Sequence, residues 1–250
     1  DLLRADGDNQ VIQESLADVY FSNGESFDSL QIEQELLPLF SEPPKKEVSP
    51  LGFEGWQGTT HKGQSLFLLT TGIGKVSAAV ATAEAIRLFA PSLILNIGVS
   101  GTLSTSVERG DIVVANWVCY HDVYCGAEIP YGQVQGYPLR YPVETSLVEK
   151  FRETGVPFHL GGVACGDRFL SSPSEFSFIK ANFPDALALD MESAAVAQTA
   201  YIHHLPLMVI RLISDTPDRA DGYAQYRRFW GEKAFRSERF SAIHKLINAI

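Results

Sequence analysis

The chain has 250 residues, 45% hydrophobic and 20% charged, with a formal net charge of −10. Such a length and apolar share predict one compact domain whose core needs no disulfide or metal staple. The acidic balance argues against nucleic-acid binding, which needs clustered Lys and Arg against phosphate, and no apolar run reaches the roughly 18 residues of a membrane span. The three cysteines, Cys119, Cys125 and Cys165, are odd in number and form no Cys-x-x-Cys pair. They predict neither a disulfide framework nor a zinc site, and a reducing, cytoplasmic setting. The chain begins at Asp1, so the lack of a visible leader carries little weight for compartment.

Residues 1–30 mix Asp, Asn, Ser and Gly with one apolar patch, Val19–Phe21. They predict an irregular arm or a variant first strand, ahead of a domain over residues 31–250. Ser41–Pro50 is rich in breakers and predicts a loop. Ser65–Thr70 is a short apolar run that ends in Gly72-Ile-Gly74, and Lys75–Ala90 follows with Val76, Val80, Ala83 and Ile86 at helical spacing. Further strands are predicted over Ser92–Asn96, Asp111–Ala115, Phe158–Ala164, Ala186–Leu189 and Leu207–Ile213. Helices are predicted over Val143–Gly155, Ser172–Phe183 and Glu192–Leu205, and one or two more from Tyr223 to Ile250. Apolar runs that alternate with helices predict an α/β fold: a single domain with a central mixed, mostly parallel β-sheet flanked by helices. Ligands in such folds collect at the carboxyl ends of strands.

Four of those ends are polar or glycine-rich: Thr70–Lys75, Asn96–Gly101, Gly166–Leu170, and Asp190-Met-Glu192 together with Ser214-Asp215. Gly72-Ile-Gly-Lys75 lacks the spacing and the Ser or Thr of a phosphate-binding Walker loop. Locally, Asp215 ahead of Thr-Pro also fits a turn or cap, and Glu192 fits an acidic residue at a helix start. Two carboxylates at neighbouring strand ends also suit ribose binding by one and proton transfer by the other.

Seven segments occur in order: Gly72-Ile-Gly-Lys-Val76, Asn96-Ile-Gly-Val-Ser-Gly101, Gly110-Asp-Ile-Val-Val114, Tyr120-His-Asp122, Gly166-Asp-Arg-Phe169, Asp190-Met-Glu192 and Ile213-Ser-Asp215. In this register, over about residues 30–250, the chain resembles the purine nucleoside phosphorylase superfamily, and within it the 5'-methylthioadenosine/S-adenosylhomocysteine nucleosidases. The resemblance implies that Asp215 protonates the leaving adenine near N7, with a raised pKa, and that Ser214 positions it. It implies that Glu192 binds the ribose hydroxyls with Met191 against the sugar, that Phe169 stacks on the purine, and that the backbone of Leu170 reads the base edge. The family's water-holding glutamate corresponds to Glu35 in Ile32–Leu37, 37 residues before Gly72 (72 − 35), and Ile32 would also line the substrate site. Upstream the chain departs from the family: Asn23–Ser29 stands where an apolar, glycine-rich strand is usual, so either this strand is unusual or a loop follows Val19–Phe21.

The resemblance also bears on the nucleophile. Hexameric phosphorylases of the superfamily carry an Arg where this chain has Asn96, and Val99, in the substrate site where many nucleosidases have Ser, offers phosphate no donor. Water is the expected nucleophile, with no metal or organic cofactor. The segment Tyr120–Gln133 is similar to the family's 5' pocket loop but shortened and altered, and Tyr223, Tyr226 and Phe229 are candidate pocket aromatics or plain core residues. The expected reaction is hydrolysis of 5'-modified adenine nucleosides by a homodimer whose partner is a small nucleoside, with neither nucleic acid nor membrane involved. The alternatives are 6-amino-6-deoxyfutalosine hydrolysis, then phosphorolysis, then a non-catalytic storage-type relative.

Overall fold

The computed structural model describes residues 34–170, 172–216 and 222–250, with the backbone alone for residues 10–15 and for Tyr223. Ten strands occur among the described residues: β1 (Gln10–Ser15), β2 (Lys45–Val48), β3 (Glu54–Thr59), β4 (Ser65–Thr70), β5 (Leu93–Thr102), β6 (Ile112–Tyr120), β7 (Tyr141–Pro142), β8 (His159–Cys165), β9 (Ala186–Asp190) and β10 (Leu207–Asp215). The helices are α1 (Gly74–Phe89), α2 (Val148–Glu153), α3 (Pro173–Asn182), α4 (Ser193–Ile202), α5 (Gly222–Gly231) and α6 (Lys233–Ile247).

The sheet is mixed. Parallel pairings run β4–β1–β5–β10 and β6–β8–β9, while antiparallel pairings attach the β2–β3 edge and join β10 to β6 and β9 to β5. Strands β5, β10, β6, β8 and β9 therefore close on themselves, because β5 pairs with both β10 and β9. Helices cover two faces. Ala78 of α1 and Ala194, Ala195, Val196, Ala197 and Ala200 of α4 pack with Ile94, Val209 and Ile213. Phe229 of α5 and Phe240, Ile243 and Leu246 of α6 pack with Met208, Ile210 and Leu212 on the other.

Several expectations are corrected. Ser41–Pro50 is no simple loop, since Lys45–Val48 pairs with β3. Its charges hid it: Lys46 reaches Glu54 at 2.6 Å across the ladder, and charged side chains are what an exposed sheet edge carries. The helix expected over Val143–Gly155 shrinks to Val148–Glu153. Strands β5 and β6 run five to six residues past their expected ends, because Gly98–Thr102 stay paired with β10 and β9, and Trp117–Tyr120 stay paired with β8 beyond a bulge at Asn116. The sheet takes its β1 from Gln10–Ser15, whereas Val19–Phe21 and Asn23–Ser29 lie outside the described residues. Helix α3 starts as its sequence dictates: Ser172 accepts from the Glu175 backbone N–H and its hydroxyl donates to the Glu175 carboxylate.

Candidate active site

The closure of the strands makes the site. Gly101 on β5 is registered with Asp215 on β10 and with Leu189 on β9. One peptide unit thus sets the end of the apolar run Leu207–Ile213 beside the segment Asp190-Met-Glu192. The cleft at these ends is lined by Val99, Ser100, Gly101, Phe169, Leu170, Met191, Glu192, Ser214, Asp215 and Tyr226, with Arg168, Leu189 and Asp190, and its void, counted to its mouth, is about 500 Å³.

Three carboxylates sit here, and their partners divide them. Asp190 is committed to the scaffold. Its Oδ1 accepts from the backbone N–H groups of Glu192 and Ser193, at the start of α4, and from the Ser193 hydroxyl, and its Oδ2 accepts from Arg211 Nε at 2.7 Å. Arg211 is fully buried and also donates to the backbone oxygen and side-chain oxygen of Asn96. Removing one member of a buried pair strands the other charge, at a cost of about 3–5 kcal/mol. Arg211→Met is expected to lose stability of that order in urea unfolding, and a loss under about 1 kcal/mol would show the pair to be dispensable.

With the Asp190 side chain satisfying the amides at the start of α4, the Glu192 carboxylate is left for other work. It is 2% exposed, and its Oε1 accepts from the Gly74 backbone N–H at 2.8 Å. Burial, with Asp190 close by, pushes its pKa up to about 8, against the opposing pull of the Gly74 amide. Asp215 is 3% exposed. Burial raises its pKa to about 6, and the Ser214 hydroxyl, which donates to Oδ1 at 2.7 Å, opposes the rise. A carboxyl of this kind is protonated in part near neutrality, which is what a general acid requires.

Two aromatic rings share the cleft with the carboxylates. Phe169, 42% exposed, meets Tyr226 of α5 edge to face at 5.7 Å. The cation at the rim, Arg168, donates to Glu175. Glycine is required at Gly74, where φ is +83°, and at Gly166, where a Cβ would lie 2.5 Å from the His121 ring.

Of the expected site residues, Asp215, Glu192, Met191, Phe169, Leu170, Ser214, Val99 and Tyr226 line this cleft. Glu35 is not among its lining residues. Its carboxylate accepts from Ser237 Oγ at 2.7 Å and Arg236 Nε at 3.3 Å on α6. Ile32 lies outside the described residues. Phe229 is fully buried in the core rather than in the pocket, and the side chain of Tyr223 is undescribed. In the segment Tyr120–Gln133, Tyr124 is 67% exposed and Tyr131 Oη donates to the His121 carbonyl; neither lines the cleft. Sequence reasoning passed over Arg211 and Ser100. The signal for Arg211 was available: a charge inside the apolar run Leu207–Ile213 must be buried with a partner. Ser100, next to Val99, is 5% exposed and on the cleft wall.

Comparison with known proteins places this geometry. A family model, that of the Phosphorylase superfamily, matches residues 29–248. A 5'-methylthioadenosine/S-adenosylhomocysteine nucleosidase of Anoxybacillus flavithermus is 34% identical over 184 residues, 71% of this chain and 79% of that protein. The nucleosidase of the same name from Neisseria meningitidis, solved in complex with methylthio-immucillin-A, superposes with a TM-score of 0.82 at 28% identity, over 97% of this chain and all of that one. The futalosine hydrolase of Helicobacter pylori shares the fold, with a TM-score of 0.80 at 21% identity over 97% of this chain and 98% of that one.

Proposed function

Since this chain belongs to the phosphorylase superfamily, and within it to the 5'-methylthioadenosine/S-adenosylhomocysteine nucleosidase family, we propose that it hydrolyses the N-glycosidic bond of 5'-modified adenine nucleosides and releases adenine. The observation that carries this reading is the pairing of Asp215 and Glu192 in one cleft, both buried and both with raised pKa.

The bond from ribose C1' to the base breaks with its electron pair moving onto adenine. Protonated Asp215 delivers its proton to the base at N7, so the departing group leaves neutral, and Ser214 holds the carboxyl in line. The ribose passes through an oxocarbenium-like state. Glu192 accepts hydrogen bonds from the ribose 2' and 3' hydroxyls, while Met191 packs on the sugar. Phe169 stacks on the purine, backed by Tyr226, the Leu170 backbone reads its edge, and Val99 lies along the wall. Water adds at C1', and the family resemblance assigns its proton to Glu35, which the structure holds against Arg236 and Ser237 and not among the cleft-lining residues. For Glu35 the support is its spacing to Gly72 and the polar neighbours Arg236 and Ser237 that orient it; Ile32 enters on the same resemblance.

Water is preferred to phosphate on two grounds. Asn96, at the place of the phosphorylase arginine, is fully buried and engaged by Arg211. The cation among the cleft-lining residues, Arg168, is neutralised by Glu175. Among the described residues that line the cleft, a dianion would find no free cationic clamp. The reading extends to a cytoplasmic homodimer. Exposed Val76 and Val80 on α1, and Tyr201 and Ile202 on α4, two helices that pack on each other, support an apolar subunit contact. Among the described residues, no helix is long and apolar enough to cross a membrane.

The test is release of free base from methylthioadenosine, S-adenosylhomocysteine, 6-amino-6-deoxyfutalosine and inosine, with and without phosphate. Adenine from the first two substrates, at a rate indifferent to phosphate, is expected. A rate that requires phosphate would make the protein a phosphorylase, preference for the third substrate would reassign the 5' group, and release from none would make it non-catalytic.

A further inference from the structure

Three segments without a direct part in the chemistry proposed above meet beside the cleft: Gly72–Lys75, Tyr120–Asp122 and Gly166–Asp167. Lys75 Nζ donates to Asp122 Oδ2 at 2.7 Å and lies 3.8 Å from Asp167 Oδ2. The Asp167 backbone N–H donates to the same Asp122 oxygen at 2.9 Å, and the Lys75 backbone N–H donates to Asp167 Oδ1 at 2.8 Å. The ammonium also sits 5.4 Å from the Tyr120 ring centroid. One cation and two carboxylates thus join the loop after β4, the end of β6 and the end of β8.

The neighbours of this cluster are the substrate-facing atoms. Gly74, adjacent to Lys75, donates its N–H to Glu192, and a Cβ on Gly74 would lie 3.0 Å from Asp167 Oδ1, so the aspartate packs directly on that residue. On the other side, Asp167 leads into Arg168 and Phe169 of the cleft wall. From this geometry we infer that Lys75, Asp122 and Asp167 form a positioning clasp, which aims the Gly74 amide at Glu192 and so holds that carboxylate for the ribose hydroxyls. The inference rests on the proposed function, since Glu192 is taken as the ribose ligand. A cluster serving only to start α1 would affect every substrate alike; a clasp acting through Glu192 discriminates between substrates with and without ribose hydroxyls.

The experiment compares wild type, Asp122→Asn and Lys75→Met, with Lys75→Arg as the conservative variant, on methylthioadenosine and on its 2',3'-dideoxy analogue. For the ribonucleoside, KM is expected to rise about ten-fold, the value of one well-placed hydrogen bond, with kcat nearly unchanged. For the dideoxy analogue the variants and wild type should match, and Lys75→Arg should recover most of the ribonucleoside KM. Equal losses on both substrates would reduce the clasp to a fold element, and no loss on either would remove it. Thermal-shift binding of both nucleosides, in the Asp215→Asn background, reads the same discrimination without turnover. If wild type cleaves neither nucleoside, the proposed function fails; the clasp is then judged on that binding difference alone, and its absence overturns the clasp as well.

Discussion

Asp215→Asn is expected to lower kcat/KM for methylthioadenosine by about 10²- to 10⁴-fold, the usual worth of a positioned general acid. Asparagine preserves the shape of the side chain and can still meet the Ser214 hydroxyl, but it cannot deliver a proton to the base. Stability should move the opposite way. The folded-state pKa of Asp215, about 6, lies above the ordinary aspartate value of 3.8. Below about pH 4 both folded and unfolded states are protonated and the residue is neutral in its effect. As pH rises from there toward 6, the unfolded chain ionises first and the buried carboxyl is increasingly a liability, so stability falls through that window and the full cost persists above it. The melting temperature of Asp215→Asn should therefore exceed that of wild type at pH 8 and approach it at pH 4. Turnover within about three-fold of wild type would remove Asp215 from proton transfer.

Glu192→Gln carries the second large effect. Two hydroxyl-to-carboxylate hydrogen bonds, at about 1.5–3 kcal/mol each, set an expected loss of about 10²- to 10⁴-fold in kcat/KM on the ribonucleoside. The pH profile adds a sharper signature. The proposed mechanism needs Asp215 protonated and Glu192 ionised, yet burial gives Asp215 the lower value, about 6, and Glu192 the higher, about 8. For free enzyme this product of fractions rises up to about pH 6, is level to about pH 8, and then falls. Glutamine cannot titrate. In Glu192→Gln the rising limb should disappear and the decline should begin near pH 6. A variant profile that keeps the wild-type limbs would show that Glu192 is not one of the two titrating groups.

Much of this architecture can be read from the chain because apolar runs and glycine punctuation report the buried strands directly. Ser65–Thr70 and Leu207–Ile213 are such runs, and both are strands at the expected place. The edge is harder to read. Lys45–Val48 has the composition of a loop, since an exposed strand makes its hydrogen bonds through the backbone and leaves its side chains polar. The site divides in the same way. Asp215 and Glu192 terminate recognisable strands, so position alone draws attention to them. The division of labour between Asp190 and Glu192 could not be read, because it depends on Arg211 reaching across from β10, a strand that does not pair with β9. Phe229 and Tyr226 show the limit for aromatics: three residues apart on one helix, one is sealed in the core and the other faces the cleft. A helical period cannot say which of two buried faces borders a cavity.

The position of Gly101 between Asp215 and Leu189 has a bearing on how specificity can diverge in such a protein. The proposed acid for the base ends one strand of a closed hydrogen-bonded ring and the proposed ribose ligand follows another by two residues, so their spacing is inherited nearly as a unit and resists piecemeal change. The covering groups, Phe169 and Tyr226, come instead from a loop and a helix outside that ring. Selection can therefore redesign the cover for a new substituent and leave the proposed acid and ribose ligand untouched. Within this scaffold, a change of substrate asks for new loops and helices rather than new chemistry.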